Sequence, residues 1–137
     1  MRPRRGRPPA TYHAARVGKA RRVSEPGQVE LLLAARLAQL IRDLGNNRVA
    51  SLLDVSVSQP SRWKTGEERI SAENQRRLLD LDYVMARLLQ LYPREQAEIW
   101  LTSHNAHLGS RPVDVLRLRG AAAVVVAIDA EAEGAYA

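Results

Sequence analysis

Apolar residues recur with helical spacing along most of the chain, and glycine or proline interrupts each run. In the segment 33–44, leucine and isoleucine fall at i, i+4, i+7, i+8 and i+11, which places them in one stripe along a helix. Gly45 and Asn46 follow, and this pair is typical of a helix stop. The chain has no Phe and only 4% aromatic residues, so its core must consist mostly of Leu, Val, Ile and Ala. These features predict an all-α fold.

The rest of the chain divides in the same way. Ser71 is a suitable N-cap for a long helix, and Pro93 and Pro112 suit the first turns of two later ones. Val124–Val126 fits the last helix or a buried strand, and residues 134–137 are expected to form a short tail. Beyond the first helix, which begins near Val29, the predicted helices are 47–53, 58–65, 72–92, a helix from 93 that carries 97–101, 112–119 and 121–133.

The excess positive charge lies at the N-terminus. Residues 1–27 carry eight basic residues and one acidic residue, whereas residues 28–137 carry 13 basic and 14 acidic residues. The first segment is also rich in Pro and Gly and lacks an apolar period, so we expect it to be disordered in isolation. A basic tail on a nearly neutral body indicates a polyanionic partner, most simply nucleic acid.

Part of this tail resembles a DNA-binding motif. Arg5-Gly6-Arg7-Pro8 has the core pattern of an AT-hook, in which arginines enter the narrow minor groove of A·T-rich DNA. A basic arm that binds phosphates without sequence preference explains the same residues. Both interpretations make Arg5 and Arg7 candidate DNA contacts.

Several classes of site are not expected. The absence of Cys excludes disulfides, zinc–thiolate sites and cysteine nucleophiles. His104 and His107 have no third ligand nearby, so we interpret them as solvated loop residues. The longest apolar run, Ala121–Ile128, has eight residues, whereas a membrane span needs about 20. We therefore expect a cytoplasmic protein without catalytic activity, metal, cofactor or membrane contact; an organellar transit peptide is the alternative interpretation of the Arg-rich start.

The segment 48–66, RVASLLDVSVSQPSRWKTG, has the spacing of a helix-turn-helix. Ala50 is small enough for two helices to cross over it, and Asp54 falls at a turn that usually needs positive φ, which short Asx side chains tolerate. Val55 and Trp63 fall on the inward side of the second helix. The outer face carries hydroxyl, amide and basic groups suited to base edges and phosphates in a major groove: Ser56, Ser58, Gln59, Ser61, Arg62 and Lys64.

This spacing, with Ser61-Arg62-Trp63 followed by Gly66, resembles the Xre-type helix-turn-helix of bacterial repressors and antitoxins. Pro60 fits the motif only if the second helix starts near Ser58, so that the proline lies in the first turn. A plain helical hairpin with a solvated Ser/Arg face is the alternative.

The segment Trp100–Leu116, WLTSHNAHLGSRPVDVL, resembles the C-terminal domain of the Xre/MbcA/ParS antitoxins. Two positions depart from the family pattern, because Ser110 stands at a usual Gly and Asp54 at the turn Gly. With the helix-turn-helix, the resemblance covers residues from about 29 to 137. The matching features are Trp100-Leu101, Asn105 in a loop, Leu108-Gly109, Pro112, Val113-Asp114-Val115-Leu116, and Gly120 before a final helix.

The resemblance implies an antitoxin of a type II toxin–antitoxin system. Such an antitoxin binds a RES-domain toxin, an enzyme that consumes NAD⁺, and shields the active-site cleft of that toxin. The antitoxin also dimerises and represses its own operon by binding double-stranded operator DNA. The expected regions are a basic tail (1–27), a DNA-binding and dimerisation region (28–92) and a toxin-binding domain (93–137). The implied toxin contacts are Trp100, Asn105, Arg111, Gly134, Ala135, Tyr136 and Ala137.

Two alternatives stay open. The chain is a stand-alone regulator if its C-terminal domain only dimerises, and the absence of a neighbouring gene for a RES-like enzyme would favour that. It is an interaction module if the helix-turn-helix no longer reads DNA, which a DNA-binding assay without the tail decides. Without the family resemblance, we would interpret Trp63 and Trp100 as residues that anchor the core. The last four residues would then be a frayed terminus.

Overall fold

The computed structural model describes residues 27–135. Contacts separate the residues up to Leu32 from a second unit that begins at Leu33, and the second unit contains the core. The described residues form seven helices and no strand, which confirms the all-α fold class. Arg5, Arg7, Tyr136 and Ala137 lie outside the described residues. The helices are α1 (Gln28–Leu44), α2 (Asn46–Leu53), α3 (Gln59–Thr65), α4 (Ala72–Leu89), α5 (Arg94–Thr102), α6 (Pro112–Arg119) and α7 (Ala121–Ala135).

The predicted start and stop residues act as expected. The Ser71 hydroxyl accepts a hydrogen bond from the Asn74 amide at 3.2 Å and so caps the N-terminus of α4. Pro112 opens α6, where its missing amide proton breaks no helical bond. Gly120 separates α6 from α7 with a φ of 87°, a conformation that glycine adopts without a steric penalty.

The predicted end of α4 was wrong. The helix ends at Leu89 rather than Tyr92. The amides of Leu91 and Tyr92 both donate to the Leu88 carbonyl, each at 2.9 Å, in a closing turn. Pro93 contributes to the early end, since it has no amide proton to donate to the Leu89 carbonyl in a continued helix. Pro93 itself is the N-cap of α5 rather than part of its first turn.

The last helix is longer than predicted. α7 runs through Val124–Val126 without interruption, so the strand alternative is wrong for this segment. Val124, Ala127 and Ile128 are all buried, and this i, i+3, i+4 spacing is the helical pattern. α7 continues to Ala135, so Gly134 and Ala135 belong to the helix rather than to a tail.

The core of the second unit is centred on α4, which packs against α2, α5, α6 and α7. Its inward side chains, Leu78, Leu81, Val84 and Leu88, are fully buried. Burying one such side chain stabilises a fold by about 1.5–3 kcal/mol. The buried residues from Leu33 to Ile128 form one cluster. The helix-turn-helix and the C-terminal helices therefore share a core.

Candidate functional site

The segment 48–66, the proposed helix-turn-helix, forms two helices joined by a turn. Ala50 is 1% exposed, and its carbonyl accepts a hydrogen bond from the Val55 amide at 3.0 Å. Asp54 adopts the left-handed conformation, with φ 59° and ψ 51°, and caps the end of α2. An Asx residue at this position replaces the usual glycine because its short side chain tolerates positive φ. The departure from the family pattern at Asp54 thus leaves the turn intact.

The second helix of the motif, α3, is anchored as expected. Trp63 is 6% exposed and belongs to the core, and Val55 packs against it. Pro60 is buried in the first turn, with Ser58 at the N-cap position. The helix therefore begins where the proline requires it to begin.

The polar face of α3 is only partly open. Ser56, Ser58, Ser61 and Lys64 are exposed, as predicted, whereas Gln59 and Arg62 are half-buried. Within residues 27–135, Lys64 has no carboxylate partner within 4.0 Å. The six predicted residues therefore lie on α3 or in the turn before it, and two of them, Gln59 and Arg62, are restrained.

The restraint comes from Glu68, a residue that the sequence did not single out. Its carboxylate accepts hydrogen bonds from Gln59 Nε2 at 2.9 Å, Arg62 Nε at 2.9 Å and Trp63 Nε1 at 3.1 Å. The bonds from Gln59 and then Arg62 hold the pKa of Glu68 below its usual value, against the opposing effect of desolvation. The sequence signal that could have identified this contact is Gly66. A glycine there lets the chain reverse direction, so that the acidic residues after it return to α3.

An arginine of α6 holds the end of α2. The Arg117 guanidinium donates to the carbonyls of Ser51 at 2.9 Å and Leu52 at 3.2 Å. It also donates to Asp114 at 3.1 Å. These carbonyls lie at a helix C-terminus, where carbonyls carry partial negative charge, and the Ser51 carbonyl also accepts from the Asp54 amide at 3.2 Å. Arg117 therefore fixes the turn of the helix-turn-helix from the C-terminal part of the chain.

A second charged contact joins the same parts of the molecule. Arg48 of α2 and Glu98 of α5 form a salt bridge at 2.8 Å, in which the Glu98 side chain is mostly buried and that of Arg48 mostly exposed. The described charges near α2 are thus partly neutralised within the chain.

The predicted loop between α5 and α6 is present, and Asn105 organises it. Its side-chain oxygen accepts from the Leu108 amide at 3.1 Å, and its carbonyl accepts from the Gly109 amide at 2.7 Å. Its own amide donates to the Ser110 carbonyl at 3.0 Å. His104 and His107 are exposed in this loop, as predicted. The side chain of Asn105 therefore shapes the loop from within.

Arg111 is held in the same local manner. It precedes α6 and forms two bonds with Asp114, at 2.8 Å and 3.0 Å. The bond from Arg111 lowers the pKa of Asp114, and the same contact raises the pKa of Arg111. Its guanidinium is nonetheless exposed.

Two open grooves flank the loop. One, of about 730 Å³, lies between Asn105–His107 and the α7 residues from Ala127 to Gly134. The other, of about 490 Å³, is lined by residues that include Tyr92, Trp100 and Glu131. The Tyr92 hydroxyl donates to Glu131 at 3.0 Å, and burial, with this bond, raises the pKa of Tyr92.

Trp100 and the end of α7 border these grooves. Trp100 packs against the core and is half-buried, which agrees with a core anchor. Its Nε1 is buried and has no hydrogen-bond partner among residues 27–135. Ile99 beside it is 61% exposed, and Gly134 is exposed in α7. The predicted toxin contacts that the structure describes thus lie around one loop and the helices beside it.

Residues 27–135 contain no cluster of three His, Cys, Asp or Glu side chains able to hold a metal ion. Among the helices of that range, none combines the length and apolar character that crossing a membrane requires.

Comparisons with known proteins agree with this arrangement. Residues 81–134 match the family described as the antitoxin Xre/MbcA/ParS C-terminal toxin-binding domain. The chain is 34% identical over 108 residues to the mycobacterial cidal antitoxin MbcA of Mycobacterium tuberculosis strain H37Rv, and equally to MbcA of Mycobacterium bovis. Each match covers 77% of this chain and 96% of the relative.

A solved structure is similar as well. The crystal structure of the M. tuberculosis MbcT–MbcA toxin–antitoxin complex matches with a TM-score of 0.62 and 34% identity, over 74% of this chain and 95% of that chain. Identity at this level across nearly the whole length of MbcA confirms the resemblance found in the sequence. The chain belongs to the Xre/MbcA/ParS antitoxin family.

Proposed function

We propose that the chain is a cytoplasmic antitoxin that binds and neutralises a cognate RES-domain, NAD⁺-consuming toxin. The observation that carries this proposal is the 34% identity to MbcA over 96% of that antitoxin. It is supported by the toxin–antitoxin complex among the similar structures. Neutralisation needs no catalytic group in the antitoxin, only a complementary surface.

We place the toxin contact on the α5–α7 side, in the proposed toxin-binding domain 93–137. The groove beside Tyr92, Ile99 and Trp100 combines apolar walls with a few polar groups, which is the composition of a binding surface. Exposed Ile99 and half-buried Trp100 supply apolar area, and the exposed Arg111 supplies charge. The residues from Gly134 onward, with Tyr136 and Ala137, would extend this contact into the toxin's cleft.

The test is co-expression with the product of the gene beside this one, if that gene encodes a RES-domain protein, followed by pull-down and an NAD⁺-consumption assay. We expect a stable complex with suppressed NAD⁺ loss. Two variants with matched exposure locate the surface, since Ile99 and Val57 are both 61% exposed. Ile99→Asp should weaken toxin binding and Val57→Asp should not. Equal loss in both variants, or no complex with the wild-type chain, would refute the assignment.

We further propose that the same chain represses its own operon through the helix-turn-helix. Buried Ala50, left-handed Asp54 and the exposed hydroxyls and amine of Ser56, Ser61 and Lys64 support this role. Removing residues 1–27, with Arg5 and Arg7, should flatten the salt dependence by about 0.9 log–log units for each phosphate that the tail neutralises. A band-shift titration with DNA upstream of the gene measures this, and an unchanged slope would mean that the tail does not touch DNA.

We propose a homodimer formed through the region 28–92. α4 exposes Leu79 and Tyr83, which lie at i and i+4 on one side of the helix, and exposed apolar side chains on one surface favour association. Light scattering of the purified chain tests this proposal. A monomer at micromolar concentration would refute it and would leave the stand-alone dimeric regulator without support as well.

A further inference from the structure

Three side chains from the proposed DNA-reading segment converge on one carboxylate. Oε2 of Glu68 accepts from Gln59 at 2.9 Å and from Trp63 at 3.1 Å, and Oε1 accepts from Arg62 at 2.9 Å. Gln59, Arg62 and Trp63 lie at i, i+3 and i+4, so they share one side of α3. Glu68 therefore binds all three side chains on that side of α3.

The backbone holds Glu68 in this position. Gly66 ends α3 with a φ of 83° and turns the chain back along the helix. The Glu68 amide then donates to the Arg62 carbonyl at 3.2 Å. Main chain and side chain of Glu68 both bind the last turn of α3, so the carboxylate has little freedom to move away.

These bonds also determine which polar groups stay available. The Gln59 amide nitrogen is used by Glu68, while its oxygen accepts from the Ser56 amide at 3.1 Å and hydroxyl at 3.3 Å. Arg62 uses Nε on Glu68, and it donates from a terminal nitrogen to the Ser58 hydroxyl at 2.6 Å. Its other terminal nitrogen has no partner among residues 27–135. The guanidinium is thus held in one orientation with one edge open.

A carboxylate placed here has two effects on an approaching duplex. It fixes the rotamers of Gln59 and Arg62, so less side-chain entropy is lost when they bind. It also repels phosphates, which opposes binding that does not depend on sequence. A base edge that offers acceptors to Arg62 is not repelled in this way.

We propose that Glu68 is a positioning residue for DNA sequence selection, which holds Arg62 and Gln59 toward base edges and away from phosphates. This inference rests on the proposed DNA binding. A purely structural brace for Trp63 would instead lower stability and affinity for all DNA alike.

The test uses the full chain, a duplex from the DNA upstream of its gene and a shuffled duplex of equal length. Glu68→Ala should lower the affinity ratio between the two duplexes about tenfold, within the range that a single bidentate pairing with a base provides. Binding to the shuffled duplex should become tighter. Glu68→Gln, which keeps the length and one acceptor oxygen, should restore part of the ratio.

The matched control is Glu67→Ala. Glu67 has the same charge as its neighbour, but among the described residues its side chain bonds only to the Thr65 hydroxyl, at 3.1 Å. The charge change is identical, so both duplexes should bind slightly tighter with an unchanged ratio.

Three results would overturn the inference. If Glu67→Ala lowers the ratio as much as Glu68→Ala, charge alone is responsible. If both Glu68 variants keep the wild-type ratio, Glu68 does not position the reading residues, although the proposed repressor role stands. If the wild-type chain binds neither duplex, the repressor role fails and this inference fails with it.

Discussion

The helix-turn-helix and the α5–α7 region hold their polar side chains in different ways. In the first, Gln59 and Arg62 are restrained by a carboxylate from beyond the helix, while several hydroxyls stay free. In the second, Asn105 is occupied within its own loop and Arg111 by Asp114 of α6, and the open surface is a pair of grooves. The first surface is polar, as the proposed DNA binding requires, and the second combines apolar and polar groups, as the proposed toxin contact requires.

The two tryptophans give the largest test of this contrast. Trp63→Ala should lower the free energy of unfolding by about 3–5 kcal/mol, since the side chain is almost fully buried. Trp100→Ala should cost less stability because Trp100 is half-buried, but it should weaken toxin binding. Urea denaturation and pull-down measure the two effects. Equal stability losses would mean that Trp100 is as much a core residue as Trp63.

Loss of the link between the regions should have the next largest effect. Arg117→Ala removes a charged donor from two carbonyls and should cost about 1.5–3 kcal/mol of stability. Arg119→Ala is the control, because Arg119 is exposed on the same helix, and its change should stay within about 0.5 kcal/mol. Thermal unfolding of both variants decides this, and equal melting temperatures would argue against a role for Arg117.

Arg62 tests the polar face directly. Arg62→Ala should weaken binding to the DNA upstream of the gene by about 1–3 kcal/mol if the open edge of the guanidinium contacts a base. Binding to a shuffled duplex should change less, because Glu68 already offsets the charge of Arg62. Band-shift titrations on both duplexes provide the measurement. Unchanged affinity for both would remove Arg62 from the DNA-contacting residues.

The smallest effect concerns Asp114, whose pKa is lowered in the folded state. A lowered carboxyl pKa means that the native state binds fewer protons, so this contribution to stability is present at neutral pH and is lost as pH falls through the folded value. Asp114→Asn should therefore be less stable than the wild-type chain at neutral pH, by less than Arg117→Ala is. The difference should shrink as the pH falls below the usual range of an Asp carboxyl. A difference that persists in acid would exclude this explanation.

The sequence predicted the elements that follow from local rules. Gly45, Ser71 and Pro112 fixed helix ends to within a residue, and Asp54 took the positive φ that its position requires. The end of α4 was misplaced because helical spacing alone continues past Leu89, whereas Pro93 offers no amide proton to the Leu89 carbonyl. The site was predicted less completely, because the contact of Glu68 with α3 depends on a chain reversal and the contact of Arg117 with α2 on packing between distant segments.

The Arg117 contact also limits how such antitoxins can be recombined. The residue lies inside the segment that matches the toxin-binding domain, yet it completes a helix outside that segment. A chimera that joined this helix-turn-helix to the C-terminal part of a relative lacking the arginine would lose the guanidinium that binds the last carbonyls of α2. A domain exchange that changes the toxin partner would therefore have to retain Arg117, because this residue stabilises the end of α2.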